Sequence, residues 1–172
     1  MTQLSFSADV AAAQVFETVE QFLLQAGLTV VAKDFNRPWG GFFVMAETDA
    51  EKFIQLFFPG YTKEQLMIGE KLSPKFLVVA PGKRLSWQYH FRRAEIWRVL
   101  SGPVKVAISK TDDETAPATY TNGDFIVLDK GHRHRLIGAD CYGIVAEIWQ
   151  HTDPSAPSDE DDIVRLQDDF GR

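Results

Sequence analysis

The chain has 172 residues, within the range of one domain and long enough to bury one substantial core. Apolar residues at 45% and charged ones at 24% are the balance of a globular protein and exclude a disordered or fibrous one. A net charge of −6 argues against nucleic acid as the partner, since a phosphate backbone demands a basic face, yet it leaves room for a local basic pocket that takes a small phosphorylated ligand.

Met1 to Phe6 lacks a basic stretch followed by an apolar one, and no apolar run approaches the ~18 residues of a membrane span, so a soluble protein with no membrane partner is expected. From Ser7 to about Ala26 the pattern is helical. Ser7 is the expected N-cap, Val15, Val19, Phe22, Leu23 and Ala26 recur at helical spacing, and Gly27 ends the turn. Arg37-Pro-Trp-Gly-Gly41 reads as an extended, turn-containing approach in which Trp39 packs as an anchor. Ala50 to Phe58 is read as a short helix, although Phe53-Ile-Gln-Leu-Phe-Phe58 also permits a strand.

Seven short β-rich runs follow: Lys75 to Val79, Leu85 to Tyr89, Glu95 to Leu100, Val104 to Ser109, Asp124 to Leu128, His134 to Ile137 and Gly143 to Trp149. Turn residues such as Pro81-Gly82, Ser101-Gly102-Pro103, Asn122-Gly123 and Lys130-Gly131 separate them. The spacing predicts an all-β sandwich or barrel of jelly-roll type. Thr152 to Arg172 is acidic and contains Pro and Ser. Cys141 is the only cysteine, which excludes an intramolecular disulfide and a thiolate metal cage and suits a reducing, cytoplasmic setting.

Two spaced motifs carry chemistry. Gly82, Gln88, His90, Glu95 and Gly102 form the first; Gly123, Asp129, Gly131, His134 and Gly138 form the second. Gln88 and His90 share a face because strand side chains alternate with period two. Two imidazoles, a carboxylate and an amide oxygen (His90, His134, Glu95 and Gln88) suit a borderline divalent ion such as zinc, iron or manganese. His132, two residues before His134, makes an alternative His-x-His pair, although it falls in the turn after Gly131. His151 is read as surface or supporting rather than ligating.

These motifs resemble the double signature of the cupin superfamily, with Gln88, Asp129 and Gly138 where that signature has a histidine, a proline and often an asparagine. Gln-x-His in place of His-x-His is similar to the phosphomannose isomerases. Arg37-Pro-Trp-Gly40, Pro81-Gly-Lys-Arg-Leu-Ser-Trp-Gln88, Arg93-Ala-Glu95 with Trp97, and Glu160-Asp-Asp-Ile-Val-Arg165 resemble phrases of the cupin portion of mannose-6-phosphate isomerases and of enzymes that fuse it to a guanylyltransferase. Arg92 and Ile96 stand where the fused enzymes often carry histidines.

The resemblance implies a single-domain, mainly β cupin jelly-roll barrel over residues 37–172, preceded by an N-terminal helical extension over residues 1–36 and finished by a closing segment. It also implies a zinc ion, with iron, manganese, nickel or cobalt as alternatives, a sugar-phosphate substrate and a homodimer. The implied reaction is an aldose–ketose isomerisation of mannose 6-phosphate and fructose 6-phosphate or a related hexose or heptose phosphate. A metal-dependent oxygenase and a non-catalytic sugar-binding cupin are the alternatives, since one scaffold hosts many functions.

Isomerisation needs an electrophile, a group that moves a proton and a cationic cradle for phosphate. Glu147, a carboxylate in an apolar strand, and Lys75 are the acid/base candidates. Arg84, Arg92, Arg93, Arg135, Arg172 and Lys83 are the cationic set; Arg84 and Arg93 flank the first motif, and the resemblance implies that one or both lie at the phosphate. Arg135 has parity opposite to His134 and is expected to point outward. Asp159-Glu-Asp-Asp162 lacks a calcium-loop spacing and is read as a solvated lead-in to the segment that folds back over the barrel.

Overall fold

The computed structural model describes residues 4–171. Helix α1 (Ala12–Gln25) opens the chain and buries Val15, Phe16, Val19 and Leu23 along one face. Gly27, at φ +71°, turns the chain out of it. Ser7 is not its cap. The helix starts later, with Ala11 at the N-cap and no side-chain hydrogen bond there. The Ser7 backbone is instead engaged in a bridge to Cys141, and its hydroxyl donates to Asp9.

The next two elements carry no expected strand, yet β1 (Val30–Arg37) and β2 (Gly40–Met45) form an antiparallel hairpin. Residues 30–36 therefore belong to a sheet rather than to a helical extension. Gly40, at φ +142°, permits the hairpin turn, because a Cβ there would sit 2.0 Å from the Val78 carbonyl oxygen. Helix α2 (Ala50–Phe57) settles the helix-or-strand ambiguity in favour of helix. A one-turn helix, α3 (Lys63–Leu66), follows with a Thr62–Gln65 capping box.

The remaining strands are β3 (Lys75–Val79), β4 (Trp87–Tyr89), β5 (Arg93–Ser101), β6 (Val104–Ser109), β7 (Ala118–Tyr120), β8 (Phe125–Leu128), β9 (Arg133–Gly138), β10 (Gly143–His151) and β11 (Val164–Gln167). They form a six-stranded sheet in the order β1-β2-β3-β10-β5-β8 and a five-stranded sheet in the order β11-β4-β9-β6-β7. All pairings are antiparallel. Seven of the strands coincide, within a few residues at their ends, with the seven expected runs; β1, β2, β7 and β11 are additional.

The six-stranded sheet is covered on both faces, which explains why Lys75–Val79 is buried at every position instead of alternating. One face carries Phe43, Met45, Phe76, Val78, Ile96, Ile144, Ala146 and Ile148 and packs against α1, α2 and the loops around them. Much of the phenylalanine goes there: Phe76 meets Phe22, Phe53 and Phe57 at centroid distances of 4.9 to 6.4 Å. The other face, with Leu77, Val79, Val99, Val145 and Trp97, packs against Val104, Val106 and Leu136 of the second sheet, and Trp39 joins it as the expected anchor. Among the described residues no helix is long and apolar enough to cross a membrane.

Removing the fully buried Phe76 ring leaves a hole between two helices and a sheet. Phe76→Ala should lower the unfolding free energy by about 3–5 kcal/mol in a urea titration, with the slope against denaturant unchanged.

Candidate metal centre

Antiparallel pairing puts a row of polar side chains on the inner face of the six-stranded sheet. Lys75 on β3 stands opposite Glu147 on β10, which stands opposite Trp97 on β5. In the next row Trp149 stands opposite Glu95, and His151 opposite Arg93. Gln88 on β4 faces them from the other sheet, paired with His134 on β9. His90 follows β4 directly.

His90, Glu95 and His134 converge. All three are buried, and one ligand atom from each lies within 4.8 Å of the others. The Nδ1 of His90 faces the Asp162 carbonyl oxygen at 2.5 Å and that of His134 faces the His132 carbonyl oxygen at 3.0 Å. A carbonyl only accepts, so each Nδ1 carries the proton and each Nε2 presents a lone pair. Those lone pairs point at Glu95: His90 Nε2 is 3.2 Å from Oε1 and His134 Nε2 is 3.5 Å from Oε2. Two donors that each lie about 2.0–2.2 Å from a shared ion are separated by such distances. His134 Nε2 is buried without a hydrogen-bond partner, which fits a ligand waiting for a cation. The residues thus fit a divalent metal. His132 is not part of the group; it stays in its turn, 3.7 Å from Asp129.

The electrostatics agree. Burial pushes the His90 imidazole down to about 4 and that of His134 in the same direction, so both are neutral donors at pH 7. Burial pushes the Glu95 carboxyl up, but His90, Arg93 and His134 together outweigh it and hold the group well below the usual carboxylate range. Arg93 donates through Nε to Glu95 Oε1 at 2.7 Å and through Nη2 to His90 Nε2 at 3.1 Å. A metal would take those lone pairs from it.

Glu95 and Gln88 also line a cavity of about 100 Å³, together with Glu147, Lys75, Trp97 and Trp149. The Trp97 indole N–H joins the two acids, at 3.1 Å from Glu95 Oε2 and 3.0 Å from Glu147 Oε1. Burial, with Glu95 nearby, pushes the Glu147 carboxyl up to about 8. Gln88 Oε1 accepts from the Ser86 hydroxyl at 2.6 Å. Lys75 packs its ammonium 3.6 Å from the centre of the Trp149 ring and pairs with Glu160.

The cationic set divides differently from the expectation. Arg84 is not in the cavity; it forms two hydrogen bonds to Asp169 at 2.6 and 2.8 Å on the surface. Arg93 is in the cavity, but it also donates to Ser158 and the Asp159 carbonyl and stacks 3.6 Å from the centre of the Trp149 ring. Arg135 does face away from the cavity, yet it is fully buried, because Glu114 and Gln167 close over it at 2.7 and 3.0 Å. Lys83 is exposed, and Arg172 lies outside the described residues. Arg37 and Arg165, known from the sequence only as parts of longer phrases, line the cavity. Arg165 sits opposite Gln88, so the alternation of β11 was the signal that places it inward.

Asp159, Glu160 and Asp161 of the acidic run are exposed, as expected of a solvated lead-in, but Asp162 serves as a structural clasp. Asp162 is buried and accepts from the backbone N–H groups of Phe91 and Arg92 at 2.9 and 3.0 Å and from the Ser158 hydroxyl at 2.7 Å. Arg92 is held in turn by Asp159 and the Pro157 carbonyl. His151 is buried too. It accepts from the Ser158 N–H through Nδ1 and meets the Ser73 hydroxyl through Nε2, each at 3.0 Å.

Comparison with known proteins decides the family. The family model described as "Mannose-6-phosphate isomerase C-terminal" matches residues 46–168. The chain belongs to this family. Alginate biosynthesis protein AlgA of Pseudomonas aeruginosa is 32% identical over 125 residues, which are 73% of this chain and 24% of that protein. Xanthan biosynthesis protein XanB of Xanthomonas campestris is 31% identical over 118 residues, 69% of this chain and 24% of that one. The chain thus spans about a quarter of the length of these relatives. Among solved structures, the capsular polysaccharide assembling protein CapF of Staphylococcus aureus superposes with a TM-score of 0.53 at 13% identity, over 81% of this chain and 34% of that one. Tomato vicilin does so with 0.54 at 17% identity, over 81% and 35%. Those two likenesses concern the mainly β, cupin-like fold alone.

The neutral histidines make a pH prediction for the metal-stripped protein. His90 and His151 are both held at about 4 by burial, against an ordinary value of 6.5. The unfolded chain therefore binds protons that the folded one refuses. Stability is complete above about pH 6.5 and falls by roughly 1.4 kcal/mol per group per pH unit between there and about pH 4. Urea midpoints measured from pH 7 to 4.5 should show this decline, and His151→Asn should make it shallower.

Proposed function

We propose that the chain is a metal-dependent aldose–ketose isomerase of a sugar phosphate, with mannose 6-phosphate and fructose 6-phosphate as the first substrate pair to try. A related hexose or heptose phosphate is the extension. The observation that carries this reading is the indole bridge: Trp97 ties Glu147, a carboxyl with a raised pKa, to Glu95 of the triad inside one cavity.

His90, Glu95 and His134 would hold the ion, with the Gln88 amide oxygen as a fourth donor and zinc as the first candidate. Bound there, a divalent ion supplies Lewis-acid polarisation of the substrate's carbonyl oxygen. The chain's own groups do the rest. Glu147, near pH 8, exchanges a proton readily around neutrality and is placed to carry it between C1 and C2. The Trp97 N–H fixes its carboxyl orientation. Lys75 and Arg93 supply positive charge at the cavity wall, where an anionic sugar is drawn in. The membership of a mannose-6-phosphate isomerase family supports the substrate class.

Metal analysis of the purified protein, coupled to an isomerase assay on mannose, fructose and heptulose phosphates with and without chelator, tests this directly. His134→Ala and Glu95→Ala should each lose the metal and turnover while keeping a cooperative melt; full occupancy in both would remove the ligand assignment. Glu147→Gln should keep the metal and lower kcat by about 10²–10⁴-fold. An unchanged kcat would move the proton transfer elsewhere. A fully metallated protein that turns over no sugar phosphate would overturn the isomerase reading.

A further inference from the structure

The pairing of Lys75 is not the one its strand position favours. Its cross-strand neighbour on the inner face is Glu147, and directly opposed charges on neighbouring strands ordinarily interact. Its hydrogen-bonded partner is instead Glu160, which reaches it from the 152–163 segment. The two ends of that ion pair differ sharply in environment. The Lys75 side chain is 6% exposed and is fixed against Trp149, whereas the Glu160 side chain is 71% exposed. A positive charge built into the cavity is thus neutralised by a carboxylate that dips in from solvent.

Glu160 takes no part in the contacts that hold the segment to residues 90–93; its side-chain bond is to Lys75 alone. Asp159 binds Arg92, and Asp162 binds the backbone at 91 and 92. Ser158 and the Asp159 carbonyl hold Arg93. The Glu160 side chain can swing outward by bond rotation while all of those contacts persist. Removing it would leave Lys75 facing the cavity, with Arg37 and Arg165 further along the wall.

We propose that Glu160 is a gate carboxylate that occupies Lys75 in the ligand-free protein and is displaced when an oxyanion group of the ligand takes its place. This rests on the sugar-phosphate reading for the identity of that group, and the chemistry is general: a phosphate near its second ionisation carries more charge than a carboxylate and offers three acceptor oxygens. The gate adds selectivity. A neutral sugar cannot replace the carboxylate on Lys75 without leaving a buried ammonium short of a counter-charge, whereas a phosphorylated one can.

The test is inorganic phosphate binding to the whole 172-residue chain by calorimetry, in wild type, Glu160→Gln and Lys75→Met. Glu160→Gln should bind phosphate at least 5-fold more tightly than wild type, and Lys75→Met should bind it at least 10-fold more weakly. Equal or weaker binding by Glu160→Gln overturns the gate, and since that side chain is largely in water, misfolding does not cloud the result. Phosphate affinity retained in Lys75→Met, or in the double variant, removes Lys75 as the seat. Turnover on the sugar phosphates is read separately. Tighter phosphate binding by Glu160→Gln without turnover keeps the gate and discards the isomerase; turnover with phosphate binding indifferent to Glu160→Gln does the reverse.

Discussion

Asp162 accepts three hydrogen bonds, two from backbone N–H groups at the turn after His90 and one from Ser158, while its own carbonyl fixes the proton on His90. These contacts decide where the segment after β10 lies. Burial tends to push the Asp162 carboxyl up, and the hydrogen bonds outweigh it, so the group stays ionised below the usual range. With Asp162 seated, Ser158 and the Asp159 carbonyl come within reach of Arg93, which in turn holds Glu95 and His90. His90, Glu95 and the covering segment are therefore one hydrogen-bonded unit, with His134 held beside them by the His132 carbonyl. Loss of the clasp would loosen the geometry of His90 and Glu95 even though neither had been altered.

The interior of the barrel is unusual for its charge. Lys75, Arg93, Glu95 and Glu147 are all at most 5% exposed, on strands whose other inner-face residues are largely apolar. Isolated charges there would cost several kcal/mol each. The arrangement avoids this by mutual pairing: Arg93 against Glu95, Lys75 against Glu160, and Glu147 kept largely protonated at neutral pH. A divalent cation and an anionic sugar would enter with opposite charges and preserve that balance. The apolar half of the same sheet, packed against α1 and α2, gives the stability that allows a polar row on the other side.

Sequence reading reached much of this because strand parity is local. Period-two alternation puts Gln88 and His90 on one face, and continuous apolar runs such as Gly143 to Trp149 mark a strand buried on both sides. It failed where long-range pairing decides. Val30–Arg37 carries Lys33, Asp34 and Asn36 among its apolar residues and shows no clean alternation, since it is a sheet edge half in solvent. Arg84 and Arg165 look alike in sequence; only the pairing of β11 with β4 turns one toward the cavity, while Asp169 captures the other. Asp162 sits in a run of four acids and reads as surface, because the backbone donors that bury it belong to residues 91 and 92.

The order of these parts along the chain has a consequence for biosynthesis. His90, Glu95 and His134 all precede β10, whereas Ser158 to Asp162, which cover them, follow it. Domains begin to organise as they leave the ribosome, at about 5–20 residues per second. During synthesis His90, Glu95 and His134 thus emerge before their cover does, and Arg93 gains the Ser158 and Asp159 contacts that hold it only once the segment after β10 has been made.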